Sequence, residues 1–353
     1  MSEPRPWSDL HVHSHFSFLD GAARVDELVG RGQELGLTAM ALTDHQGLYG
    51  AVRFAKAAED VGIRPILGVE VELLDSAIPD AHGVVVPRRR GRRARTTAPA
   101  PEASPGRIDA FDGRPAPIET ERLRPPGYRD PRREDLRRVR DRERGPHLVL
   151  LARDMTGWGS LCRLVSAAHL AGTKGVPRFT HDLVARHAEG LVLLTGCRHG
   201  EVARRILAGD EEGARHALRW YAEHVADVPG IGSGVFVELQ HHLAPDDDLL
   251  VARLAHVAHE VGLPTLVTSD AHYARPDDRV LQDVLVAIRH GQTVEGSAHL
   301  RRHNGEYHLT GRAELDARPP GTDAFAAVEP LIHRAWHAGL DQAPELASRL
   351  DVP

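Results

Sequence analysis

Apolar residues along the first 75 positions fall into short blocks, and these alternate with stretches whose apolar residues recur at helical spacing. The pattern predicts strands over 9–13, 39–43 and 64–73, with helices over 25–35 and 48–61 between them. Strands and helices alternating at this interval imply parallel βαβ units. The pattern breaks from about 76 to 146, where Arg, Pro and Gly dominate, as in PRRRGRRARTTAPAPEASPG. Such a composition cannot bury enough apolar surface to order itself, so this segment is expected to be a largely disordered insertion, with one charged helix over 132–144. Order resumes with HLVLLA, a buried strand over 147–152. Helices are expected at 158–169, 201–207, 211–225 and 247–261, and strands at 191–195, 235–239 and 265–269. About seven strands in this arrangement suggest an α/β barrel near the (β/α)8 type. Two further helices, over 324–337 and 343–350, are expected in the tail.

Composition narrows the class. The 353 residues suit one large domain or a barrel with an insertion, and 41% hydrophobic content suffices for a core. No apolar run reaches membrane-spanning length, and MSEPRPWSDLHVHS has no apolar signal core, so a cytoplasmic protein is expected. Two cysteines, Cys162 and Cys197, give no disulfide framework. Cys162 is expected to be a small buried hydrophobe. Residues 87–146 hold 18 Arg against 10 Asp and Glu and sum to +8, so the rest carries −14 within a whole-chain charge of −6. An acidic body suits cation binding and does not by itself suit nucleic acid. The Arg-rich insertion reads first as a solvated linker and second as a contact to a nucleic-acid backbone.

The chemistry-bearing residues sit at the ends of the expected strands. His11 and His13 are two apart on a strand, so they share a face. Alone, the pair is weak in a chain with 23 His. Asp20 follows in FSFLDG, Thr43-Asp44-His45 closes the second strand, Gly68-Val69-Glu70 lies near the end of the third, and Ser269-Asp270-Ala271-His272 repeats the i, i+2 spacing. His147 and Cys197 also lie at strand ends, although His147 begins its strand, which strains the pattern. In a parallel barrel the strand C-termini converge on one rim, where sites are assembled. Imidazole, carboxylate and thiolate together make a metal-binding set. Glu72 shares the face of Glu70 and competes with it as a ligand. Asp9 and Asp44 are expected to orient imidazoles, His15, His241 and His242 to lie at the surface or rim, and Arg198 with His199, less strongly, to meet a phosphate.

These motifs resemble those of the PHP (polymerase and histidinol phosphatase) family. More closely, the chain is similar to the N-terminal PHP region of bacterial DNA polymerase III alpha subunits, particularly the error-prone branch. FSFLDGAARVDELV, ALTDHQGLYGAVRFAKAA, HLVLLARDMTGWGSLCRLVS, LTGCRHGEV, TSDAHYARPDDRVLQDVLVAIRHGQTV and RRHNGEYHLTGRAEL carry the likeness. The resemblance implies a distorted (β/α)7 TIM-like barrel over residues 1–300, interrupted by the insertion at 76–146, and a C-terminal extension over 301–353 like the start of a polymerase linker. It implies up to three divalent metals. His11, His13, Glu70 and Asp270 would hold the first, Glu70, His147 and Cys197 the second with Glu70 bridging, and Asp20, His45 and His272 the third. Zinc suits the mixed donor set best, with manganese or iron as alternatives. Glu70, Asp270 and His272 would be the catalytic residues. Metals acidify water and stabilise a leaving oxygen, so no protein nucleophile is needed and Cys197 would serve as a ligand.

The expected function is that of a metal-dependent phosphoesterase, first a 3′–5′ exonuclease or related phosphodiesterase acting on a DNA 3′ end as the PHP module of an error-prone polymerase, alongside polymerase or replication and repair proteins. No polymerase activity is expected from this chain, since no polymerase body lies within it, and no membrane partner is expected. Alternatives are a small-molecule phosphatase acting on a phosphorylated metabolite, and a non-catalytic docking domain stapled by metal. An amidohydrolase also uses an early HxH and a late Asp, but Asp20, Cys197 and the late Asp-x-His pair speak against it. So does the scarcity of lysine, of which only Lys56 and Lys174 exist.

Overall fold

A computed structural model describes residues 5–74, 145–318, 320–321 and 329–352; the expected helix at 132–144 and all of the 76–146 insertion except Gly145 and Pro146 lie outside them. Seven strands form one sheet in sequence order: β1 (Trp7–Val12), β2 (Leu37–Leu42), β3 (Arg64–Glu72), β4 (His147–Ala152), β5 (Leu191–Leu194), β6 (Val235–Leu239) and β7 (Thr265–Val267). The sheet curls until β7 meets β1. Val12 bridges Ala271, the His13 amide donates to the Ala271 carbonyl at 2.8 Å, and the Ser269 amide donates to Asp9 Oδ1 at 3.4 Å. The result is the expected distorted seven-stranded α/β barrel, nearly closed.

One strand runs against the rest. β4 is antiparallel to both β3 and β5, and the other neighbouring strands are mutually parallel. The chain therefore leaves β3 and re-enters β4 at the same rim, where the Leu73 amide donates to the Pro146 carbonyl at 2.8 Å and Glu72 pairs with His147. This removes the strain noted for His147. The N-terminus of a reversed strand lies at the rim where its neighbours end, so His147 joins the other strand-end residues.

Strand interiors are nearly continuous apolar runs because both sides are covered. The helices α1 (Val25–Glu34), α2 (Ala51–Asp60), α3 (Met155–Ala171), α4 (His181–Arg186), α5 (Glu201–Leu207), α6 (Glu211–His224) and α7 (Asp247–Val261) supply much of the outer layer, and their buried residues share one core with the strands. Among the described residues, three α-helices follow β7: α8 (Arg279–His290), α9 (Arg312–Asp316) and α10 (Glu329–Ala347). Among the described residues, no helix is long and apolar enough to cross a membrane. Cys162 is half-buried rather than sealed in the core.

The two helices expected in the tail are one element where described. α10 runs through Pro344 and packs against β7, β1 and α7. Proline lacks the amide that would satisfy the carbonyl four residues back. That carbonyl belongs to buried Leu340, and Arg312 Nη1 donates to it at 3.2 Å while Arg312 Nη2 reaches Asp341 at 2.7 Å. α9 thus repairs the break that proline makes. Arg312→Met keeps the bulk and strands the carbonyl, so it is expected to cost about 1–3 kcal/mol in urea unfolding. The loss should shrink when Pro344→Ala restores an amide at that position, and equal losses in both backgrounds would refute the compensation.

Candidate metal centre

The rim formed by the C-termini of six strands and the N-terminus of β4 gathers every expected ligand. His11 lies in β1, and His13 and Asp20 lie just beyond it; His45 follows β2; Glu70 is in β3; His147 opens β4; Cys197 follows β5; Asp270 and His272 follow β7. All but His45 are buried, and His45 is only partly exposed. Their donor atoms converge. His11 Nε2 lies 3.2 Å from Glu70 Oε2 and 3.5 Å from Asp270 Oδ1, and His13 Nε2 lies 3.3 Å from the same Asp270 oxygen. Glu70 Oε1 lies 3.0 Å from His147 Nδ1, which is 3.5 Å from Cys197 Sγ. Glu70 therefore faces two groups, His11–His13–Asp270 through one oxygen and His147–Cys197 through the other. His45 Nδ1 also meets Glu70 Oε1, at 2.7 Å, and His45 Nε2 lies 3.2 Å from Asp20 Oδ2.

The polar groups behind the ligands set which ring nitrogens face inward. His11 Nδ1 lies 2.6 Å from Glu238 Oε1, so it donates there and Nε2 is left as the inward lone pair. Thr268 and Gln240 donate to that same Glu238 oxygen and fix it. On the other side, Ser17 Oγ donates to Asp44 Oδ1 at 2.7 Å, so it can only accept from His13 Nδ1 at 3.3 Å. His13 Nε2 is then also a lone pair, and it sits 3.0 Å from His11 Nε2. Two facing lone pairs repel unless a proton or a metal ion lies between them. Glu70 Oε2, Asp270 Oδ1 and His45 Nε2 are likewise buried with no hydrogen-bond partner.

The electrostatics agree that a positive centre belongs here. Burial opposes a second proton on His11, but Glu238 and Asp270 raise its pKa well above the usual value. Burial likewise works against charge on His45, while Glu70 and Asp20 push it up to about 9. Burial would raise the Glu70 carboxyl, yet the imidazoles of His147 and His45 hold it well below the carboxylate range. Burial, then Asp270 and Glu70, push the Cys197 thiol well above its ordinary value. Without a cation the site must hold protons on buried imidazoles; a metal supplies the charge directly and stabilises the thiolate. The nitrogen, oxygen and sulfur donors of the His11–His13–Glu70–Asp270 and Glu70–His147–Cys197 groups fit such ions.

Asp270 is presented by a turn in which its own φ is +47°. Few residues adopt this left-handed region, and Asp tolerates it better than most. The turn is held from both sides. Ser269 Oγ donates to Asp9 Oδ2, and His242 Nε2 donates to the Ser269 carbonyl at 2.8 Å. Asp9 thus braces a turn rather than an imidazole, while Asp44 does reach His13 through Ser17. His242, expected at the surface or rim, is buried, and its neighbour His241 pairs with Asp248 at 2.8 Å. His15 is exposed as expected. Glu72 accepts from the Gly145 amide at 2.5 Å and from Gln46 at 3.1 Å, outside both ligand groups. Arg198 lines the cavity but is engaged by Asp246 at 2.6 Å, and the His199 amide donates to Cys197 Sγ at 3.4 Å.

The centre opens into a cavity of about 340 Å³ lined also by Arg289, Arg302 and Tyr307. These three, with Glu238, are absent from the ligand set expected from the sequence. A lone carboxylate in the apolar strand VFVEL was a usable sign for Glu238; nothing local marked Arg302. Glu238→Gln is expected to loosen His11 and weaken divalent-metal affinity about 10–100-fold. Competition with a chromogenic chelator reads this, and unchanged affinity would show that His11 needs no partner.

The model of the PHP domain matches residues 9–242. An error-prone DNA polymerase from Nocardia farcinica is 39% identical over 88% of this chain and 25% of its own length. A DNA polymerase III subunit alpha from Borreliella burgdorferi is 27% identical over 87% of this chain and 21% of its own. The chain thus spans about a quarter or less of these curated relatives. A solved structure from Bifidobacterium adolescentis, provisionally described as a metal-dependent phosphoesterase, is 16% identical over 76% of this chain and 88% of that one, with a TM-score of 0.28 too low to bear on fold or function.

Proposed function

Because this chain belongs to the PHP-domain family, and so shares its metal-dependent phosphoesterase fold with the PHP modules of DNA polymerase III alpha and error-prone polymerases, we propose that it hydrolyses phosphodiesters at a DNA 3′ end. The observation that carries the reading is the set of inward lone pairs from His11, His13, Glu70 and Asp270, with His147 and Cys197 on the other Glu70 oxygen. In this proposal His11, His13, Glu70 and Asp270 hold one divalent ion, and Glu70, His147 and Cys197 hold a second, zinc suiting the thiolate and manganese or iron being alternatives. Asp20, His45 and His272 are the third set that the resemblance implies. Bound metal supplies acidified water and neutralises charge on phosphate oxygens.

The chain's own residues do the rest. Glu238 and the Asp44–Ser17 pair keep the two imidazoles aimed inward. Glu70 holds the two groups at a fixed separation, and the braced Asp270 turn keeps its carboxylate at the cavity floor beside His272. Arg198, Arg289 and Arg302 line the wall, where guanidinium forks match phosphate oxygens. Phe18 and Tyr49 are exposed aromatics in the stretches that carry Asp20 and His45, and such rings stack on unpaired bases. These features favour a nucleic-acid end over a small metabolite. The body domain is proposed to span residues 1–300, with residues 301–353 as an extension and a DNA polymerase or replication protein as partner.

The test is hydrolysis of a 3′-recessed DNA duplex against a small phosphomonoester by the metal-loaded protein. Release of 3′ nucleotides is expected, falling about 10²–10³-fold in Asp270→Asn and abolished by chelation. Activity confined to the monoester would favour the small-molecule phosphatase. No hydrolysis of either, with melting on chelation, would favour the docking domain.

A further inference from the structure

The space where a third ion would lie already holds a cation. Arg302 Nη2 contacts His272 Nε2 and lies 3.8 Å from Asp20 Oδ1, while those two acceptors are 3.9 Å apart. His272 Nδ1 lies 2.8 Å from the Asp270 carbonyl and so carries the ring proton. Nε2 is then the only lone pair His272 can offer a metal, and the guanidinium covers it. Asp20 is engaged again from the side, by Arg289 Nη1 at 2.9 Å from Oδ2.

Arg302 is built in rather than draped. Its side chain is 17% exposed, and its guanidinium lies 4.2 Å from the centre of the Tyr307 ring. Tyr307 in turn stacks on His242 at 3.9 Å and 11°. His242 is the residue that braces the Asp270 turn, and Asn304 donates to its carbonyl. The guanidinium is therefore part of the same packed support as the first metal group.

Subtracting these engagements leaves a poor third site. His13, His45 and His272 offer ligand atoms within 4.8 Å of one another, but His13 Nε2 already faces His11 and Asp270 in the first group, His272 Nε2 is covered by the guanidinium, and Asp20 Oδ2, 3.2 Å from His45 Nε2, is shared with Arg289. Tight sites present three or four protein donors. An added divalent ion would also stand within a few ångströms of two guanidiniums, which stay charged at any ordinary pH.

We infer that in this chain the guanidinium of Arg302 fills the third cation position, so that the centre takes two divalent ions and supplies its third positive charge from the protein. This rests on the proposed reading of the centre as metal-binding.

Metal stoichiometry tests it. The full chain is loaded with excess zinc or manganese, passed over a desalting column and analysed for metal and protein. Two ions per chain are expected for the natural sequence and for Arg302→Lys, which keeps the charge. Three are expected for Arg302→Met or for Arg289→Met with Arg302→Met, returning to two when Asp20→Asn is added. Circular dichroism confirms that each variant is folded. Three ions in the natural sequence would overturn the inference alone. Two ions in both Met variants would also overturn it, since Arg302 would not be what keeps the third out. Fewer than two in the natural sequence would overturn it together with the metal reading of the centre.

Discussion

Much of this molecule is organised around a repulsion. Four donor atoms from His11, His13, Glu70 and Asp270 meet in a buried volume with their lone pairs inward, an arrangement that stands only if something positive shares the space. The surrounding polar groups make this worse rather than better. Glu238 accepts a hydrogen bond from His11 on the far side, and Ser17, whose own proton is committed to Asp44, accepts one from His13. A structural cluster of buried histidines would be expected to satisfy both nitrogens of each ring. Here each ring is satisfied behind and left open in front, which is how a ligand is built.

The barrel exists to bring such atoms together from distant parts of the chain. Asp9 and Ser269, 260 residues apart, are joined by two hydrogen bonds, from the Ser269 amide and from its hydroxyl, and they brace the turn presenting Asp270. Closure between β7 and β1 and assembly of the centre are therefore the same event. The outer support reaches further: Tyr307 stacks on His242, which holds the other side of the turn. Residues after β7 are tied to the site through this stack and to the core through α10, whose passage across Pro344 depends on Arg312.

Local periodicity carried the fold class well because the strands are short, apolar and bounded by helices of ordinary amphipathic pattern. Glu201–Leu207, Val235–Leu239 and Asp247–Val261 fall where expected. The direction of β4 was not legible, since an apolar run such as HLVLLA reads the same in either sense. That single reversal is what makes His147 fit. α8 does carry helical spacing, in Val280, Leu281, Val284 and Ile288, yet it is not among the expected helices; what the spacing could not tell is that this apolar face stays exposed while Gln282 and Val286 turn inward.

At the centre, the residues whose types are rare in strand ends were legible: two His on one face, Asp and His two apart, a Cys in a turn. What could not be read was which cation each would face. Arg302 lies among RRHNGEYHL, where neighbouring arginines look alike, and only the approach of its segment to His272 and Asp20 separates it from Arg301, which pairs with Asp283 instead. A ligand set read from residue types assumes every competent side chain is free to bind. His272 has the right type and the right place, yet its one open nitrogen is taken by a guanidinium whose ring support, Tyr307, packs on the brace of Asp270. Competence of a ligand is thus a property of its neighbours as much as of the residue, and two positions with equal claims in the sequence, His13 and His272, differ because a serine stands behind one and an arginine in front of the other.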